Sequence, residues 1–135
     1  MNANNVGARY PDSFGSFAIA NSVPVYLGAT GNAIATLSTV GSTYIVRRVT
    51  VAGASGSVAL ANVTILTSND GNTSNAVTNA AALTTVTGST KFQDLPLSTA
   101  AASTVYSTSL YVYVGTAAAA NNSVEITVYG DVVSL

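Results

Sequence analysis

From residue 16 onward the chain is a succession of short runs of β-branched and aromatic residues, each cut off by Gly, Asn, Ser or Asp before it can lengthen. Such side chains fit a pleated, half-buried surface, and the punctuation between them sets strand length. Runs at 16–20, 23–27, 33–37, 43–51, 57–67, 82–87, 91–97, 105–110 or 110–114, and 123–133 read as strands. Turn signals stand between them at 28–31, 41–42, 53–56, 69–72 and 88–89. The helix-friendly run at 116–120 is too short to hold a helix. Eight or more short strands must each bury a face and hide an edge, which two packed antiparallel sheets or a barrel accomplish. The sequence therefore predicts an all-β fold, a two-sheet antiparallel sandwich, in a single domain over residues 16–135. Residues 1–15 precede it as an N-terminal arm.

Alternation is clearest near the end of the chain. Val124, Ile126 and Val128 share one face, and Glu125, Thr127 and Tyr129 share the other. Leu110, Val112 and Val114 likewise oppose Tyr111 and Tyr113. Paired as a hairpin across 115–122, these strands would turn their aliphatic residues to the core and present a stripe of Tyr111, Tyr113 and Tyr129 outside. The run 57–67 is apolar on both faces, with Val58, Leu60 and Leu66 on one and Ala59, Ala61, Val63 and Ile65 on the other. A strand buried on both sides of a small sandwich needs a second covering layer, and a neighbouring subunit would supply it. The segment 1–15 lacks periodicity, yet Tyr10 and Phe14 lie in it and Phe17 follows closely. That aromatic content predicts an arm that orders on a partner, against the alternative of a frayed terminus.

Charge is scarce. Arg9, Arg47, Arg48 and Lys91 are the cations and Asp12, Asp70, Asp94, Glu125 and Asp131 the anions, 7% of the chain in all, against about a quarter in ordinary domains. The 48% hydrophobic fraction argues against disorder. Four cations cannot neutralise a phosphate track, so no nucleic-acid partner is expected. No run of ~18 apolar residues occurs, which excludes a membrane-spanning helix. Residues 1–7 show neither the cationic nor the apolar part of a secretion signal.

The chain has no His and no Cys, so Ser-His-Asp and Cys-His arrangements cannot be built and thiolate metal sites are absent. The five acids are scattered, and no phosphate-binding glycine motif occurs. No enzymatic activity, cofactor or metal is expected. Residues 68–75, Ser-Asn-Asp-Gly-Asn-Thr-Ser-Asn, resemble part of a calcium loop, but only Asp70 is an anion, and a turn with Asp-Gly at its tip is the simpler reading. Arg47 and Arg48 stand side by side in an apolar strand, so one must point inward unless a bulge intervenes. The alternatives are a bulge or protective edge strand, or an intersubunit salt bridge to Asp94, Glu125 or Asp131. Tyrosine suits both protein interfaces and sugar platforms, and without Trp the interface reading leads.

The runs 110–118 (LYVYVGTAA) and 122–133 (NSVEITVYGDVV) resemble the C-terminal hairpin of small virion proteins of tailed bacteriophages. In its Ala/Ser/Thr/Asn-rich, cysteine-free style most of the chain is similar to capsid decoration (cement) proteins of that group, with the motif itself confined to 110–135. The resemblance implies a jelly-roll or, alternatively, an immunoglobulin-like sandwich. It also implies a homotrimer on the outer capsid surface of the virion, bound to the major capsid protein and stabilising the shell. Tyr10, Phe14, Phe17, Arg47, Arg48, Tyr111, Tyr113 and Tyr129 are the residues expected at protein interfaces. Two other structural roles compete: a tail, fibre or head-fibre module whose loops bind host glycans, and a self-assembling filament subunit that donates a strand to its neighbour.

Overall fold

The computed structural model describes residues 17–21, 24–39 and 43–133. Its strands are β1 (Phe17–Asn21), β2 (Val25–Tyr26), β3 (Gly31–Thr39), β4 (Tyr44–Ala52), β5 (Asn62–Leu66), β6 (Ala81–Ala82), β7 (Gln93–Leu95), β8 (Leu110–Thr116) and β9 (Ser123–Val132). Two single 3-10 turns, Thr73–Asn75 and Ala100–Ala102, complete the regular structure of the described residues. Every pairing is antiparallel. One layer runs β6–β5–β8–β3 and the other β1–β9–β4–β7, with β2 beside β1 on the same edge of β9. The layers pack face to face and are joined where β1 pairs with β3, at Ala20–Thr39 and Asn21–Ser38. The architecture is the antiparallel sandwich that the strand count predicts.

Period-2 patterning determines what fills the space between the layers. Val63, Ile65, Leu110, Val112 and Val114 from the first layer are fully buried, as are Val25, Val49, Val51, Val124, Ile126 and Val128 from the second. All belong to one continuous core cluster. Each such side chain contributes about 1.5–3 kcal/mol relative to exposure. Tyr44 is the largest fully buried residue. Its hydroxyl donates to the Thr108 carbonyl at 2.5 Å, and burial pushes its pKa up to about 12.

The expected hairpin between 110–114 and 123–133 does not form. β8 pairs with β3 and β5, whereas β9 pairs with β1, β2 and β4. Residues 117–122 therefore cross from one layer to the other. The aliphatic residues face the core as their parity requires, but the tyrosines are divided. Tyr111 and Tyr113 lie on the outer face of one layer and Tyr129 on the outer face of the other.

The run 57–67 is also not one strand. Only Asn62–Leu66 is extended, and 57–61 form a turn. On β5, Val63 and Ile65 face the core, while Thr64 and Leu66 stand opposite Tyr113 and Tyr111. Thr64 and Leu66 are nonetheless buried, 2% and 0% exposed, within the single chain. The strand is apolar on both sides, as its composition indicates, but no neighbouring subunit is needed to cover these two residues.

Residues 67–106 seal one side of the sandwich. At the free edge of β5, β6 pairs with Asn62 and Val63. Beyond it the Val77 N–H donates to the Ile65 carbonyl at 2.8 Å, and the Thr78 hydroxyl accepts from the Ile65 N–H at 3.0 Å. At the far edge of the other layer, β7 pairs with Val49–Val51, and Tyr106 exchanges two backbone bonds with Tyr44, of 2.8 and 2.9 Å. The Thr78–Leu97 bridge, with Asn79 N–H to Pro96 carbonyl and Ser98 N–H to Val77 carbonyl, both 2.8 Å, ties the two covers together. At these two edges the outermost strands have only two and three residues, whereas at the opposite side the nine-residue β3 meets β1 only at Ser38 and Thr39.

Candidate protein interface

The paired arginines are accommodated by a bulge. Val46 pairs with Gly130 and Arg48 with Tyr129, which leaves Arg47 as one extra residue in β4. Tyr44, Val46, Val49 and Val51 all point inward, and the odd step from 46 to 49 absorbs both arginines on the outside. Among the described residues, β4 is paired on the edge away from β9 only at Tyr44 and Val49–Val51, so both arginines project where that edge carries no partner strand, and the bulge keeps them out of the core. Both guanidinium groups find partners within the chain: Arg47 Nε lies 2.9 Å from Asp131 Oδ2, and Arg48 Nε 3.0 Å from Asp94 Oδ1. Asp94 Oδ1 also accepts from the Thr50 hydroxyl at 2.7 Å, and Arg48 stacks over the Tyr129 ring, 5.5 Å from its centroid. Asp94 and Asp131, two of the three acids expected to bridge subunits, are therefore engaged by the chain's own arginines. Exposed pairs of this kind contribute about 0–1 kcal/mol each.

Charge is thus unevenly spread. Arg47, Arg48, Asp94, Glu125 and Asp131 stand on the outer face of the β1–β9–β4–β7 layer. By contrast, β3, β5, β6 and β8 contain no Asp, Glu, Lys or Arg at all. On that second outer face the half-buried Tyr111 and Tyr113 flank Leu66 and Thr64. Of the arm residues, Tyr10 and Phe14 lie outside the described residues, and Phe17 is placed by its backbone pairing with Gly130.

A third surface escaped sequence reading. At the end of the sandwich where β4 and β8 finish and β5 and β9 begin, Tyr26, Leu60 and Phe92 are 57%, 70% and 58% exposed. Asn122 knits this end together: its amide donates to the Ser57 carbonyl at 2.9 Å, and its backbone carbonyl accepts from the Leu27 N–H at 2.9 Å. Gly28 and Gly56 are required here because a Cβ at either would collide with Asn121 or Asn122. The Gln93 amide oxygen accepts from the Thr84 and Thr85 N–H groups, at 2.9 and 3.2 Å, and holds the Phe92 segment beside 82–87. Parity could have found Phe92, since it alternates with the core residue Leu95. Leu60 gave no signal, because an apolar run conceals its turn.

The Asp-Gly segment is a self-contained loop. Asp70 Oδ1 accepts from the Ser68 hydroxyl at 2.6 Å and the Asn72 N–H at 2.9 Å, and both bonds hold its carboxyl below the usual range. Asn72 Oδ1 accepts from the Ser74 N–H at 3.0 Å, and Gly71 takes a positive φ of 73°. Among the described residues no three His, Cys, Asp or Glu gather to hold a metal, and no helix is long and apolar enough to cross a membrane. What fold and surface define together is the class: an all-β antiparallel sandwich with one charge-paired face and one whose strands carry no charge. No family model, curated protein or solved structure matches the chain.

Proposed function

We propose that this chain is a virion structural protein that decorates and stabilises a phage capsid by binding the major capsid protein as a homotrimer on the outer surface. It performs no catalysis in this role, and uses neither nucleic acid nor membrane. The observation that carries the reading is that β3, β5, β6 and β8 carry no formal charge and that the half-buried Tyr111 and Tyr113 lie on their outer face, beside Thr64 and Leu66 that the chain itself covers. Such a face associates by apolar packing and tyrosine hydroxyl bonds, without desolvating ions. Separation of Tyr129 from Tyr111 and Tyr113 leaves no three-ring sugar platform on one face; a fibre module that binds host glycans through its loops is the alternative reading. The arm, with Tyr10, Phe14 and Phe17, is the second expected contact with the particle.

Quantifying the chain in purified particles, together with its mass by light scattering, tests this. Hundreds of copies per particle and a mass near three times 13.5 kDa are expected. A few copies, or a monomer at micromolar concentration, would refute decoration and the trimer respectively.

A further inference from the structure

Asp70 is the one Asp or Asn of the chain that is followed by Gly. The pairing matters chemically, because a glycine sets no Cβ beside its own amide nitrogen. The Gly71 nitrogen can attack Cγ of a protonated Asp70. A new N–Cγ bond closes a five-membered succinimide, and the carboxyl OH leaves with the amide hydrogen as water. Water then reopens the ring. Opening at Cγ restores aspartate, whereas opening at the Asp70 main-chain carbonyl leaves isoaspartate, in which the backbone runs through the former side chain. The water lost is regained, so the conversion needs neither oxidant nor cofactor.

The fold opposes this reaction in two ways. The attack requires an uncharged carboxyl, since a carboxylate is a poor electrophile. Asp70 Oδ1 accepts from the Ser68 hydroxyl at 2.6 Å and from the Asn72 N–H at 2.9 Å, and both donors favour the ionised form. The Ser68 hydroxyl is itself fixed, because it accepts from Asn75 Nδ2 at 3.0 Å. Geometry adds to the charge effect. Closing the succinimide turns Cγ and the Gly71 nitrogen toward an eclipsed arrangement about Cα–Cβ, away from the staggered rotamers that side chains occupy. The Asn72 bond spans Gly71, whose φ is 73°, and resists that rotation. Solvent offers no obstacle, because Asp70 and Asn72 are exposed.

We propose that Asp70–Gly71 is a latent isomerisation site, held as aspartate by the Ser68 and Asn72 bonds, and that conversion to isoaspartate opens the loop at 68–75. The product carries one extra methylene in its main chain, and the group that accepted from Ser68 and Asn72 has become a backbone carbonyl. Neither bond can re-form as it stands.

Prolonged incubation of the full chain in warm neutral buffer provides the test. Isoaspartate is counted by enzymatic methylation of its free carboxyl and by peptide mapping, where the peptide carrying residue 70 shifts in elution at unchanged mass. Accumulation should be slow in the folded parent, several-fold faster in Ser68→Ala, and faster again in the parent unfolded by urea. Asp70→Glu, whose ring would be six-membered, should lose the signal at this peptide. Thermal melting shows whether Ser68→Ala is folded; if it is not, the comparison of folded with unfolded parent decides. A folded parent that isomerises as fast as the unfolded chain, or a folded Ser68→Ala that gains nothing, would overturn the protection. Absence of isoaspartate even in urea would overturn the site itself.

Discussion

Deleting Arg47 should leave the sandwich folded, although the deletion falls in the middle of its longest interface between strands. Removal brings the Val46–Gly130 and Arg48–Tyr129 pairs into consecutive ladder positions. Inward Tyr44 and Val46 then alternate regularly with inward Val49 and Val51. What is lost is the Arg47–Asp131 pair, whose side chains are 56% and 29% exposed, at about 0–1 kcal/mol, together with local twist from the bulge. The expected total is about 1 kcal/mol, a fall in Tm of about 4 °C for a domain of this size. Deleting Thr50 provides the contrast. It rotates Val51 out of the core, about 1.5–3 kcal/mol, and removes the hydroxyl donor of Asp94, about 1 kcal/mol more. Urea denaturation at constant m-value gives both numbers directly. An Arg47 deletion as damaging as the Thr50 deletion would refute the assignment of Arg47 as the inserted residue.

Gly130→Ala should be among the most damaging single changes, at about 3 kcal/mol or more. Its Cβ would overlap the Ile45 carbonyl oxygen and lie 3.2 Å from Ile19 Cδ1, and backbone cannot yield as a side-chain tip can. Gly88→Ala, where a Cβ meets nothing within 4 Å, should stay within about 0.5 kcal/mol in the same thermal melts. Tyr44 makes the fold sensitive to alkali. Its folded pKa of about 12 lies above the ordinary tyrosine value of 10.0, so the stabilisation is fully present below pH 10 and is lost as pH rises through 12. The loss should reach about 2 kcal/mol by pH 12. Denaturation midpoints across that range should fall less steeply in Tyr44→Phe, and equal slopes for the two proteins would refute the assignment.

Strand positions and inward faces were legible because period-2 alternation is a local property. Leu110, Val112 and Val114, like Val124, Ile126 and Val128, are buried where their parity puts them. Pairing partners were not legible. The two inner faces of a sandwich meet in one core, so an aliphatic strand face is satisfied in either layer, and parity cannot tell β8 beside β9 from β8 opposite it. The bulge was foreseeable as an alternative, since two adjacent arginines within an apolar alternation demand an extra residue or a buried charge. Partners on the opposing strands decided the outcome, because Asp94 and Asp131 meet the arginines only once β7 and β9 are in register. Leu60 was invisible for a different reason. Turn prediction depends on residues that favour positive φ, and this turn employs one that does not.

The position of β9 also governs the order in which the molecule can form. It is the last strand in the chain, yet it supplies the partner for β1 and β2 on one edge and β4 on the other. Without residues 123–132, β2 has no ladder to join, β1 keeps only its two pairs with β3 and β4 only its three with β7, and Val25, Val46, Val49 and Val51 lose the neighbours that bury them. The β5–β8 pair can form earlier, but the layer facing it cannot. Folding of such a chain is rich in long-range closure, the slow and aggregation-exposed regime for small domains.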